Sequence, residues 1–94
     1  MTTILDTSFV DAFKKITDTS IIRRASIAVE KLEAANSLRE ISNIKSMKGK
    51  PNYYRIRFGD FRIGFRLADE TTIVLLYIEH RSVFYRGFSV IHVS

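Results

Sequence analysis

Residues 53–66 read YYRIRFGDFRIGFR, and this stretch constrains the fold more than any other. Apolar and cationic side chains alternate on both sides of Gly59-Asp60, the period-two pattern of strands with one buried face. A two-residue turn with glycine first predicts a type II′ hairpin. Such a turn sets the pairing: Phe58 with Phe61, Arg57 with Arg62, Ile56 with Ile63, Arg55 with Gly64, Tyr54 with Phe65 and Tyr53 with Arg66. Tyr54, Ile56, Phe58, Phe61, Ile63 and Phe65 then share a core face. Tyr53, Arg55, Arg57, Arg62 and Arg66 share the other, with Gly64 leaving a shallow gap among them.

Like charges directly opposite one another are unfavourable. In water the penalty at about 5 Å is only ~1 kcal/mol, and long side chains splay to reduce it, so the cluster is tolerable. Nothing internal to the hairpin requires it, and this face of the hairpin carries no acid. From 45 to 66, Lys45, Lys48, Lys50, Arg55, Arg57, Arg62 and Arg66 stand against Asp60 alone, a net +6, while the whole chain is +5. The excess positive charge therefore sits in one quarter of the sequence. A localised basic field attracts phosphate backbones, anionic membrane surfaces or an acidic protein segment. A merely solubilising face would be served as well by mixed Lys and Glu. Guanidinium groups stay charged at any physiological pH and grip phosphate oxygens in pairs, and a neighbouring tyrosine can stack a base. Lys45, Lys48, Lys50, Tyr53 and Arg66 are accordingly expected to bind RNA.

Around the hairpin the chain alternates between two periods. TTILDT suggests a short strand. Ser8 with Asp11 suggests an imperfect capping box, followed by Phe9, Phe13 and Ile16 on one helical face. A second helix is expected from Asp18 to Ser20 onward, with Ile21, Ala25, Ala28 and Leu32 as its buried stripe. NSLREISNIKSMKGKPN reads as a connection with a short extended piece around 43–47. TTIVLLYIEH is apolar on both parities, which predicts an interior strand covered on both sides. Residues 81–87 predict one or two helical turns ended by Gly87, and FSVIHVS a last extended segment. The expectation is an α+β fold: an N-terminal strand, a helical hairpin packed on one sheet face, an antiparallel meander and a short C-terminal helical turn. Residues 1–94 are expected to form one domain.

Composition narrows the class further. With no cysteine there is no thiol nucleophile and no thiolate metal site, which fits a reducing compartment. The longest apolar run, IVLLYI, is far short of a membrane span, and MTTILDTSF has no leader pattern, so a soluble cytoplasmic protein is expected. No carboxylate or histidine spacing suggests a metal site, and no cofactor is expected.

The segment EHRSVFYR places His80 and Arg81 at the end of the interior strand, with Tyr85 four residues after Arg81. A helical turn would send Arg81 and Tyr85 to one side. An imidazole, a guanidinium and a phenol near an arginine-lined sheet suit phosphodiester chemistry, which needs cations for the phosphorane, a base and an acid. The plainer reading has His80 capping a strand end and Tyr85 packing at the core edge. His92 has no evident partner and is expected to be inert.

NIKSMKGKPNYYRIRFGDFRIGFRL followed by YIEHRSVFYRGF resembles the RelE branch of the RelE/ParE superfamily of type II toxin–antitoxin toxins, over nearly the whole length. The combination is fairly specific; neither piece alone would be. The resemblance implies a metal-independent endoribonuclease that cuts messenger RNA, usually in the ribosomal A site, through attack of a 2′-hydroxyl that leaves a cyclic phosphate. It also implies an acidic antitoxin as partner. Arg55 and Arg57 match the basic pair of the first hairpin strand, Arg62 the phosphate-binding arginine, and Arg81 and Tyr85 the C-terminal pair. Well-studied members carry lysine where Arg55 stands, and arginine does not readily release a proton. The base is then expected to be His80, since imidazole titrates near about 6.5, with Tyr85 orienting the hydroxyl or stacking on a base. Two other readings share the fold: a ParE-type inhibitor of DNA gyrase, and a catalytically degenerate RNA-binding homologue.

Overall fold

A computed structural model describes the backbone of residues 1–92 and the side chains of 1–88. β1 (Thr2–Leu5) leads into α1 (Thr7–Lys14) and α2 (Thr19–Ala34). A 3₁₀ turn at Leu38–Glu40 precedes β2 (Ile44–Ser46), β3 (Tyr53–Phe58), β4 (Phe61–Asp69), β5 (Thr72–His80) and α3 (Arg81–His92). The five strands form one sheet in the order β1-β5-β4-β3-β2, antiparallel except that β1 runs parallel to β5. The α+β architecture is the expected one. No helix of the described residues is long and apolar enough to cross a membrane.

The hairpin register is the one the two-residue turn demands, from Tyr53↔Arg66 to Phe58↔Phe61. Gly59 takes φ +56°, the left-handed conformation that its lack of a Cβ permits. Ile56, Ile63 and Phe65 are buried under α1 and α2 together with Phe9, Ala25, Ala28 and Leu32, while Tyr54, Phe58 and Phe61 pack at the edge of this cluster. Ile21 of the expected stripe is only half-buried.

The helix starts are made by aspartates. Asp18 caps α2 by accepting from the amides of Ser20 and Ile21, and those bonds hold its carboxyl below the ordinary carboxylate range. The first helix begins earlier than expected. Its cap is Asp6, whose carboxylate accepts from the Ser8 amide at 3.0 Å and from the Ser8 hydroxyl at 2.6 Å. Ser8 is thereby spent and cannot cap the following turn. Removing the cap in Asp6→Ala is expected to cost about 1 kcal/mol, read as a lower urea midpoint with an unchanged m-value.

The largest departure from expectation is at the C-terminus. Residues 88–92 are helical rather than extended, and α3 runs through Gly87 instead of ending there. A Cβ at Gly87 would meet the Tyr77 hydroxyl, so this glycine permits close helix–sheet approach. The His92 side chain lies outside those described. α3 packs on the sheet face opposite α1 and α2, where Phe84 and Phe88 bury against Val74 and Leu76. The shallow gap expected at Gly64 is filled, since a Cβ there would sit 2.8 Å from the Phe88 ring. This second cluster explains why β5 is apolar on both parities. Gly64 pairs with Tyr77 but Phe65 pairs with Leu75, so Leu76 is an extra residue on β5. The bulge changes the parity of the strand beyond it.

Candidate nucleic-acid interface

β2, β3 and β4 set the floor of the cationic face. Arg57 and Arg62 are cross-strand partners, Arg55 faces Gly64 across β4, and Lys45 faces Arg55 from β2. Directly opposed residues project to one side of a sheet, so Lys45, Arg55, Arg57 and Arg62 share a surface. α3 delivers the remaining groups. Its first amide donates to the Asp60 carbonyl at 2.7 Å, which ties the helix start to the hairpin turn. Tyr85, one turn on, accepts from Arg55 Nε at 2.9 Å. Arg81 Nε lies 3.7 Å from the Asp60 carboxylate, a solvent-exposed pair.

Arg62 is the centre of this cluster. Burial of its guanidinium lowers its pKa, and the like charges of Arg55, Arg57 and Arg81 push the same way, while Tyr85 opposes them. Nη1 donates to the carbonyls of Gly59 (3.2 Å) and Phe61 (3.0 Å). Among the described residues, Arg62 Nε is the buried side-chain nitrogen left without a hydrogen-bond partner. Four guanidinium groups thus crowd one another around a phenol, and an anion bound there offsets their repulsion.

Asn43 is a contributor that sequence reasoning missed. Its backbone oxygen accepts from Arg55 Nη1 and its Oδ1 from Arg57 Nη2, both at 3.3 Å. It reaches both from the left-handed conformation, φ +69°, which asparagine adopts more readily than most residues. The available signal was an asparagine immediately before an edge strand, too common to single out. Glu79 also escaped notice. It is the cross-strand partner of Arg62, and its carboxylate folds back to accept from the His80 amide at 2.7 Å.

Five expected residues are not brought to the cluster. His80 pairs with Phe61, packs edge-on against its ring at 5.6 Å and so lies on the α1/α2 side of the sheet. Its Nδ1 is within 2.8 Å of the Ser82 hydroxyl and accepts from the Ser82 amide at 3.1 Å. The odd number of steps from Glu79 to His80 is the reason: one of the pair faces Arg62 and the other cannot. Tyr53 packs against Phe88 with ring centroids 6.2 Å apart, beneath α3. Arg66 lies four residues beyond Arg62, about 13 Å along the strand, with the Phe88 ring over Gly64 between them. Lys48 is exposed and Lys50 half-buried in the loop joining β2 to β3, beyond that same end. Among the described residues no group of three or more His, Asp or Glu side chains is arranged to hold a metal ion.

The small α+β fold that carries this guanidinium cluster has its relatives among toxins of type II toxin–antitoxin pairs. The family description "ParE toxin of type II toxin-antitoxin system, parDE" matches residues 4–84. Toxin RelE3 of Methanocaldococcus jannaschii is 35% identical over 65 residues, covering 68% of this chain and 74% of the relative. The toxin in the RelB–RelE antitoxin–toxin complex of Methanococcus jannaschii superposes with a TM-score of 0.73 at 33% identity, over 90% of this chain and 98% of that one. The archaeal RelE–RelB complex of Pyrococcus horikoshii gives a TM-score of 0.65 at 22% identity, over 85% and 93%, a likeness of fold. The chain belongs to the RelE/ParE family of type II toxin–antitoxin toxins.

Proposed function

We propose that this toxin is a metal-independent endoribonuclease that cleaves messenger RNA and so arrests translation. The observation that carries the reading is the Tyr85 hydroxyl held by Arg55 at 2.9 Å inside the cation cluster around Arg62. In the reaction a 2′-hydroxyl attacks the adjacent phosphorus and gives up its proton to water, the bond to the 5′-oxygen breaks as that oxygen takes a proton from Tyr85, and a 2′,3′-cyclic phosphate remains. Arg62, Arg57 and Arg55 oppose the charge that builds on the phosphorane oxygens. Arg81, at the mouth of α3, faces the leaving oxygen. Because Tyr85 accepts from Arg55, its own proton is free to be given, and proton transfer falls to Tyr85 rather than to His80, which lies across the sheet. Asn43 positions Arg55 and Arg57.

The natural partners under this reading are mRNA, with the ribosome presenting it, and an acidic antitoxin that covers the basic face, in the cytoplasm. Salt-sensitive association is expected with either polyanion. Tyr85→Phe keeps the ring and its edge contact with Phe84 while removing the proton. Its cleavage rate is expected to fall about 10²–10⁴-fold with unchanged melting. Primer extension on translating messages reads the cleavage, and a variant as active as the parent would remove Tyr85 from the chemistry.

A second reading is favoured by the ParE description matched over residues 4–84: a non-enzymatic inhibitor of DNA gyrase. Expressing the toxin and following protein and DNA synthesis separates the two. Translation stops first under the ribonuclease reading, and replication first under the other.

A further inference from the structure

One continuous groove of about 970 Å³ runs from the arginine cluster around the hairpin tip and along α2. We infer that this groove carries the RNA strand beyond the scissile phosphate, with Arg24 and Lys31 of α2 as additional phosphate contacts; the inference rests on the ribonuclease reading. The first argument is steric. A strand laid over Arg62 continues in two directions, and towards Gly64 it meets the Phe88 ring and the body of α3. The way open to it leads to the tip.

The second argument is charge. At the tip the Gly59 carbonyl accepts from Arg62, while the guanidinium of Arg24 reaches the other side of the same residue, 2.6 Å from where a Cβ would stand. Cations on the two sides of the sheet are thus linked through one glycine. Lys31 follows Arg24 by seven residues, two helical turns and about 10.5 Å along one face of α2, with Ile27 and Ala28 between them in the groove wall. Both cations are exposed, and neither has a hydrogen-bond or ion-pair partner among the described residues. The acids lining the groove are already engaged. Glu40 accepts from the amides of Asn36 and Ser37 at 3.0 and 3.1 Å, and Asp60 faces Arg81. Unmatched cations spaced along a groove, with the Phe58 ring in its wall, suit the backbone and bases of a single strand.

The test is binding of 2′-O-methyl RNA, which lacks the attacking hydroxyl, at several salt concentrations. A short oligonucleotide of about three nucleotides fills the arginine cluster, and one of about twelve also spans the groove. Arg24→Gln and Lys31→Gln are each expected to reduce the salt slope on the long RNA by about 0.7, to leave the short RNA unaffected, and to melt like the parent. Loss on neither RNA, or equal loss on both, overturns the inference. So does a loss confined to binding of an acidic antitoxin peptide, which would give the groove to a protein. In the first and last of these outcomes, if Arg62→Ala still weakens both RNAs, the ribonuclease reading survives. If the parent binds neither RNA, or Arg62→Ala changes nothing, that reading falls as well.

Discussion

Replacing Arg62 by alanine is expected to lower the rate of RNA cleavage about 10²–10³-fold and to relieve growth arrest, while the protein melts within a few degrees of the parent. The two halves of this expectation have one cause. Arg62 is partly buried and surrounded by Arg55, Arg57 and Arg81, so its charge is a burden on the empty site and an asset once phosphate is bound. Deleting it removes like-charge repulsion along with the hydrogen bonds to Gly59 and Phe61, terms of opposite sign and of order 1 kcal/mol each. Arg81→Ala is expected to act similarly on cleavage, through an exposed side chain that among the described residues pairs with Asp60. Single-turnover cleavage and thermal melting on the same samples make the comparison. If both variants keep full toxicity, the cation cluster is not the reactive centre.

Phe84→Ala has the largest expected effect on stability. The ring is fully buried between α3 and the sheet, with Tyr77 and Phe88 at centroid distances of 6.0 and 5.2 Å. Truncating such a residue costs about 3–5 kcal/mol. For a chain of this size that is a fall in Tm of at least about 12 °C. Activity should fall with it, because Arg81 and Tyr85 both ride on α3. Tyr85→Ala, at an exposed position, separates the two effects by losing activity while melting nearly normally. A Phe84→Ala protein that melts like the parent would mean that α3 is not anchored as the buried ring indicates.

The hairpin was legible because a period of two and a two-residue turn leave one register, and that register already placed Arg57 beside Arg62. The start of α2 was legible to within two residues, because Asp18, Thr19 and Ser20 stand directly before the apolar stripe, and Asp18 is the one that caps it. The start of α1 was misplaced because Asp6 and Ser8 are both good caps, and which one acts depends on where Ser8 finds its partners. One of these is the Leu76 carbonyl, 68 residues away in sequence. His80 was assigned to the site because adjacency in sequence says nothing about the side of a sheet, and the parity is settled by which residue faces Phe61.

What the sequence by itself determined is the local order: strand period, turn type, cap chemistry and the concentration of guanidinium groups on one hairpin face. These follow from interactions within a few residues. Only the tertiary structure decided which groups meet. The bulge at Leu76, the length of α3 and its docking through Phe84 and Phe88 bring Tyr85 to Arg55, cover Tyr53 and leave His80 on the far side of the sheet. The physical reason is that helix docking depends on close packing between surfaces distant in the chain, where a missing Cβ at Gly64 or Gly87 counts for more than any pattern along it.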